Sequence, residues 1–193
     1  MGGKRVVIVH GWGATPDSDW HPWLKRMLIE RGFEVIVPQM PDSDNPHINT
    51  WVPYLAEVAG RVDENTYFVG HSIGCQAIIR YAAGLLPGIK IAGAIFVAGW
   101  FHLNQDGMTD EEKEVVAEWS YSTVNLPRIR EHISKSVALF SDNDPYVPIS
   151  EADIFERELG SKIIVHPKRG HFTSEDGVLE LHAALNEILK MAK

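Results

Sequence analysis

The chain has 193 residues, 45% hydrophobic and 23% charged, a balance that suits a globular fold able to bury a core without metals or disulfides. Its net charge of −8 leaves no electrostatic footprint for nucleic acid or for an anionic membrane. The one cysteine, Cys75, excludes an internal disulfide framework and fits a reducing cytoplasm, and neither a signal peptide nor a bilayer-spanning apolar run is expected.

Short β-branched runs alternate with longer amphipathic stretches along the chain. Val6, Val7, Ile8 and Val9 predict a buried strand that ends in a glycine-rich turn, His10-Gly11-Trp12-Gly13. Helical spacing follows over 23–31, with Leu24, Met27 and Leu28 on one face and Gly32 as its stop. A strand over 34–37 is closed by Pro38 and Pro41. A helix over 51–62 requires Pro53 to lie in its first turn. Strands are expected over 66–69, 91–98, 136–140 and 162–165, and helices over 73–84, 151–159 and 178–191. The long connection from Trp100 to Ile133 contains Thr109 with Glu112 three residues on, a capping box that opens a helix running through Trp119. The acidic run Asp110-Glu111-Glu112 is therefore read as a stabilised helix N-terminus, not a metal site. Strands separated by helices predict an α/β, doubly wound, mostly parallel sheet of about six strands, with residues 1–193 forming one domain.

Between the strand at 66–69 and the helix from Ile73 stands Gly70-His71-Ser72-Ile73-Gly74. Chance places a G-x-S-x-G in about one chain of this length in fifteen, so the strand before it and the helix after it carry the reading. A serine on so tight a turn is forced into a strained conformation that exposes its hydroxyl. The glycines two before and two after let strand and helix approach. The competing interpretation is a glycine-rich turn whose serine caps the helix.

A serine hydroxyl needs a base, and the base needs a third group to fix its tautomer. In α/β-hydrolases these follow in the order Ser, acid, His, on loops after late strands. His171, in Lys168-Arg169-Gly170-His171-Phe172, lies beyond the last strand and before the last helix, where a base belongs. His102, His132, His166 and His182 fall in the long connection, in helices or at a strand end. Either Asp142 or Asp144 could face His171. Asp144 is chosen as the acid because Pro145 rigidifies its turn and Val-Pro ends the segment before a new helix, with Asp142 read as a turn residue bonding its own backbone. The two oxyanion donors are the N–H groups of Ile73 and Trp12, with Gly13 as the alternative to Trp12. Trp12 and Trp100, each directly after a strand, are expected to wall a substrate pocket, while Trp20 and Trp23 have a core role open to them.

Together these residues resemble the YdeN-like serine hydrolases of the α/β-hydrolase superfamily. The resemblance runs along essentially the whole chain: the glycine-rich loop after the first strand, Asp-Trp-His-Pro-Trp-Leu from Asp19 to Leu24, the elbow at Ser72, Asp-Pro-Tyr-Val-Pro from Asp144, and Gly-His-Phe from Gly170. It implies a compact hydrolase without a large lid, with no metal or organic cofactor, and the triad Ser72, Asp144 and His171. One branch of that family is named for a Leu-x-Cys-x-Glu type interaction with a pocket protein. Cys75 lies in Ser72-Ile73-Gly74-Cys75-Gln76-Ala77 and cannot supply that motif, so no such partner is expected. The expected activity is hydrolysis of a small ester or related acyl compound through a Ser72 acyl-enzyme. Its rivals are a peptidase or amidase using the same triad and a non-catalytic binding protein on the same scaffold. A nucleotide-binding fold is disfavoured, because Gly11-Trp12-Gly13 has neither G-x-G-x-x-G spacing nor a P-loop lysine.

Overall fold

The valine- and isoleucine-rich runs that cannot be left in water are the strands of the sheet. The computed structural model describes residues 3–193. Among them, β1 (Arg5–Val9), β2 (Glu34–Ile36), β3 (Thr66–His71), β4 (Gly93–Val97), β5 (Ser136–Ser141) and β6 (Lys162–His166) form one sheet. Its order is β2-β1-β3-β4-β5-β6, and every pairing is parallel. The central strands β3 and β4 are buried along their whole length, whereas β2 and β6, at the two edges, are half-exposed. That is the burial profile of a sheet covered on both faces. Phe68, Phe96, Phe140 and Phe155 are fully buried in this core, each stabilising the fold by roughly 1.5–3 kcal/mol.

The helices are α1 (His21–Ile29), α2 (Ile48–Ala59), α3 (Ile73–Ala83), α4 (Asp110–Tyr121), α5 (Leu126–His132), α6 (Glu151–Leu159) and α7 (His182–Met191). Right-handed crossovers run in opposite directions from β1 to β2 and from β3 to β4, so α1 covers one face and α3 the other. Accordingly α1 packs on α7, while α2, α3, α5 and α6 pack in succession. The strand order reverses between β1 and β3, and such a switch point opens a crevice at the carboxyl ends of the strands. The loop from His10 and the turn at Ser72 both leave the sheet there.

Two helix starts and one additional helix depart most from expectation. Helix α2 begins at Ile48, so Pro53 sits inside it rather than in the first turn. Pro53 has no N–H to donate to the Asn49 carbonyl, but Asn49 is exposed and water can take that bond. The connection after Trp100 carries a second helix, α5, capped by Asn125 accepting the Arg128 N–H at 3.2 Å, with Pro127 in its first turn. The last helix starts at His182, because Val178 folds back to bond the Thr173 carbonyl at 2.9 Å. The capping box of α4 forms as expected, with the Thr109 N–H donating to Glu112 Oε2 at 2.7 Å and the Glu112 N–H to Thr109 Oγ1 at 3.2 Å.

Candidate active site

Ser72 joins β3 to α3 with φ +51° and ψ −120°, a left-handed conformation that costs a residue with a Cβ of order 1–3 kcal/mol. The fold over-determines it. The Ser72 N–H donates to the Val97 carbonyl at 2.9 Å, and its carbonyl accepts from Cys75 N–H at 3.0 Å. A helix-capping serine would accept a first-turn N–H, and Ser72 Oγ makes no such bond. The flanking glycines are demanded by contact. A Cβ on Gly70 would stand 2.8 Å from Cys75 N, and one on Gly74 would fall on the Val9 and His10 carbonyls. Cys75 itself is fully buried behind the elbow, where burial pushes its thiol well above the ordinary range. That removes it as a rival nucleophile.

His171 is held at three points. Its ring Nδ1–H donates to Asp144 Oδ2 at 2.8 Å, with the two side chains 13% and 2% exposed. Its main-chain N–H donates to Asp176 Oδ2 at 2.8 Å. Its carbonyl accepts from His71 Nε2–H at 2.8 Å. Asp144 is itself anchored, because its Oδ1 accepts the N–H groups of Tyr146 and Val147 at 2.9 and 3.0 Å. Asp142 does not bond His171, and it does not bond its own turn as expected: its Oδ1 accepts the Lys168 N–H of the neighbouring loop at 2.8 Å. Asn143 Oδ1 takes the Gly170 N–H at 2.9 Å, and Ser141 Oγ the Arg169 N–H at 2.9 Å. Four consecutive side chains, from Ser141 at the end of β5 to Asp144, thus tie down the loop that carries His171.

Asp176 gave no motif in the sequence. Burial pulls its carboxyl upward, but the hydrogen bonds from Thr173 and from the His171 N–H outweigh that and hold it below the ordinary carboxylate range. Gly170, with φ +51°, makes room for it, since a Cβ there would fall on Asp176 Oδ1. A glycine before the histidine and a carboxylate five residues after it are the only local signal.

These loops enclose a cavity of about 290 Å³ whose walls include Gly11, Trp12, Ser72, Met108, Tyr146 and His171. Ser72 and His171 line it together, with no hydrogen bond between their side chains among the described residues. Leu103 adds apolar wall, Asp19 and Glu112 add carboxylates, and among the described residues no Lys or Arg lines it. Ile73 opens α3, where first-turn N–H groups have no intrahelical acceptor. In the β1 loop, the Gly13 N–H donates to the Ser43 carbonyl at 2.8 Å and is not free to receive an oxyanion. The Trp12 indole bonds the Asp44 carbonyl at 2.9 Å and keeps its side chain at the cavity wall. Trp100 does not line the cavity. It is fully buried, and its carbonyl accepts from Gln76 Nε2 inside the core. The chain turns sharply at Ala98, with φ +46°, before Trp100 is reached. Trp20 and Trp23 are core residues as well.

The remaining downstream histidines have other partners. His132 bonds the Ile89 carbonyl at 2.8 Å, His102 pairs with Glu151 at 3.0 Å, and His182 with Glu180 at 2.9 Å. His166 packs edge-on against Phe172.

The family profile described as "Serine hydrolase" matches residues 6–190. The YdeN hydrolase of Bacillus subtilis (strain 168) is 27% identical over 178 residues, which cover 92% of this chain and 90% of the relative. The serine hydrolase RBBP9 of Rattus norvegicus is 25% identical over 181 residues, covering 90% and 89%. The crystal structure of the B. subtilis ydeN gene product superposes with a TM-score of 0.88 at 26% identity, covering 97% of this chain and 98% of that one. Est1E from Butyrivibrio proteoclasticus shares the fold, with a TM-score of 0.72 at 17% identity over 98% and 88% of the two chains.

Proposed function

Because the chain belongs to the serine hydrolase family, it is a hydrolase, and we propose that it cleaves a small ester or related acyl substrate through a covalent Ser72 intermediate. One observation carries this reading: a serine in strained backbone geometry shares a cavity with a histidine whose ring Nδ1–H is bonded to a buried carboxylate. His171 Nε2 takes the Ser72 hydroxyl proton as Oγ attacks the acyl carbon. Asp144 holds the tautomer in which Nε2 is the bare nitrogen and stabilises the imidazolium that forms. The N–H groups of Trp12 and Ile73 receive the developing oxyanion. His171 then returns the proton to the departing alcohol, activates a water against the acyl-enzyme, and frees the acid with Ser72 restored. Asp19 and Glu112 at the wall, with no Lys or Arg among the described residues lining it, favour neutral over anionic acyl groups. The single buried Cys75 suits a cytoplasmic setting.

An alkyl fluorophosphonate is the direct test, with intact mass and peptide mapping on wild type and Ser72→Ala. One adduct on Ser72, absent from the variant, is expected. A folded wild-type protein that takes none refutes the activated serine and leaves the binding-protein reading.

A further inference from the structure

Behind His171 lies a second imidazole that the triad does not use. His71 stands between Gly70 and Ser72 and is 3% exposed. Its ring lies 5.1 Å from that of His171 and 5.8 Å from Trp20, which meets it edge-on. The bond to the His171 carbonyl requires a proton on Nε2, because a carbonyl can only accept. The other nitrogen, Nδ1, is buried with no protein partner among the described residues. The neighbour on that side is Gly11, where a Cβ would come within 3.3 Å of Nδ1. A neutral ring with one proton, on Nε2, makes the one bond this site offers; a second proton, on Nδ1, would add a buried N–H with no protein acceptor among the described residues.

We infer that His71 is a positioning residue for hydrolysis at Ser72, its Nε2–H tautomer holding the His171 main chain so that the base stays aligned with the nucleophile one residue away. The inference rests on the triad reading of Ser72 and His171. The three clamps act on different atoms of His171: Asp144 on the ring, Asp176 on the N–H and His71 on the carbonyl. Only the His71 clamp is covalently continuous with the nucleophile, so it couples the positions of Ser72 and His171 directly. The groups around the ring agree with a neutral donor. His171 and His21 face it as imidazoles and Asp19 and Asp144 as carboxylates, and burial, followed by His171, brings its pKa down to about 4. An imidazolium at His171, which the reaction forms transiently, therefore meets a neutral neighbour rather than a second cation.

Two substitutions and one measurement on the native protein test this. His71→Phe keeps the ring against Trp20 and removes the donor; His71→Gln offers an amide N–H in its place. With a neutral short-chain ester, His71→Phe is expected to lower kcat by about ten- to a hundredfold at nearly unchanged KM, and His71→Gln to recover most of the loss. Wild-type kcat in His71→Phe, or a folded His71→Gln as poor as His71→Phe, overturns the inference. Should neither variant fold, nitrogen-15 NMR of the native protein decides. A protonated Nε2 coupled through its hydrogen bond to the His171 carbonyl carbon supports the role; a protonated Nδ1, or a doubly protonated ring at neutral pH, overturns it. A wild-type protein without a Ser72 adduct is a separate failure, of the hydrolytic reading, because the tautomer is read without turnover.

Discussion

Replacing Asp144 by asparagine tests the orienting role proposed for it. Both main-chain donors on Asp144, from Tyr146 and Val147, converge on Oδ1, and His171 bonds Oδ2. In Asp144→Asn the amide oxygen must remain on the Oδ1 side to keep those two bonds, so the amino group is turned toward His171. Two donors cannot face each other, and His171 must give up its Nδ1 proton and carry it on Nε2 instead. A protonated Nε2 cannot accept the Ser72 proton. The loop survives, at a cost of about 1–2 kcal/mol for the weakened bond to His171, while kcat falls by about 10³–10⁴, or roughly 4–5.5 kcal/mol in the barrier. Asp142→Asn is the matched control. Its amide oxygen can still accept the Lys168 N–H, so kcat is expected to stay within about threefold, because no reacting group is touched. Steady-state ester hydrolysis and the rate of fluorophosphonate labelling measure both. An Asp144→Asn enzyme within tenfold of wild type refutes the tautomer argument. A greater loss in Asp142→Asn would transfer the acid role to that residue.

Two further outcomes concern stability. Gly74→Ala drives a Cβ into the Val9 and His10 carbonyls, main-chain atoms that cannot swing aside; a loss of about 3 kcal/mol is expected, which for a chain of this size lowers Tm by roughly 6–12 °C, and an unchanged melting curve would show that α3 can move off β1. Burial brings His21 to about 3 and, aided by His171, His71 to about 4. Both stay neutral in the fold while the unfolded chain protonates them below its ordinary imidazole pKa, so stability falls as pH drops. Two protons set a slope of up to about 2.7 kcal/mol per pH unit between roughly pH 5.5 and 4.5. Denaturant midpoints across that range measure it, and midpoints that fail to fall with pH would show the two rings to be charged in the native protein.

Sequence alone determined the α/β alternation, the strained serine turn and the two loops on which Asp144 and His171 meet, because each is written in a contiguous stretch. Val6 to Val9 must be buried whatever surrounds them, Gly70 and Gly74 are spaced for a close crossing, and Gly-His-Phe follows a strand. A helix as short as α5, and the early start of α2 through Pro53, were not legible, since local propensity yields there to packing on α3. Tertiary structure alone decided which atoms meet. It put Trp100 inside the core rather than at the cavity, turned Asp142 onto the neighbouring loop, and excluded Gly13 as a donor by bonding it to Ser43. It also brought His71 to the carbonyl of a residue 100 positions away and Asp176 beneath Gly170. The physical reason is range: strand period and turn chemistry act over a few residues, whereas a hydrogen bond is decided within about half an ångström, by the relative placement of loops that only the completed sheet brings together.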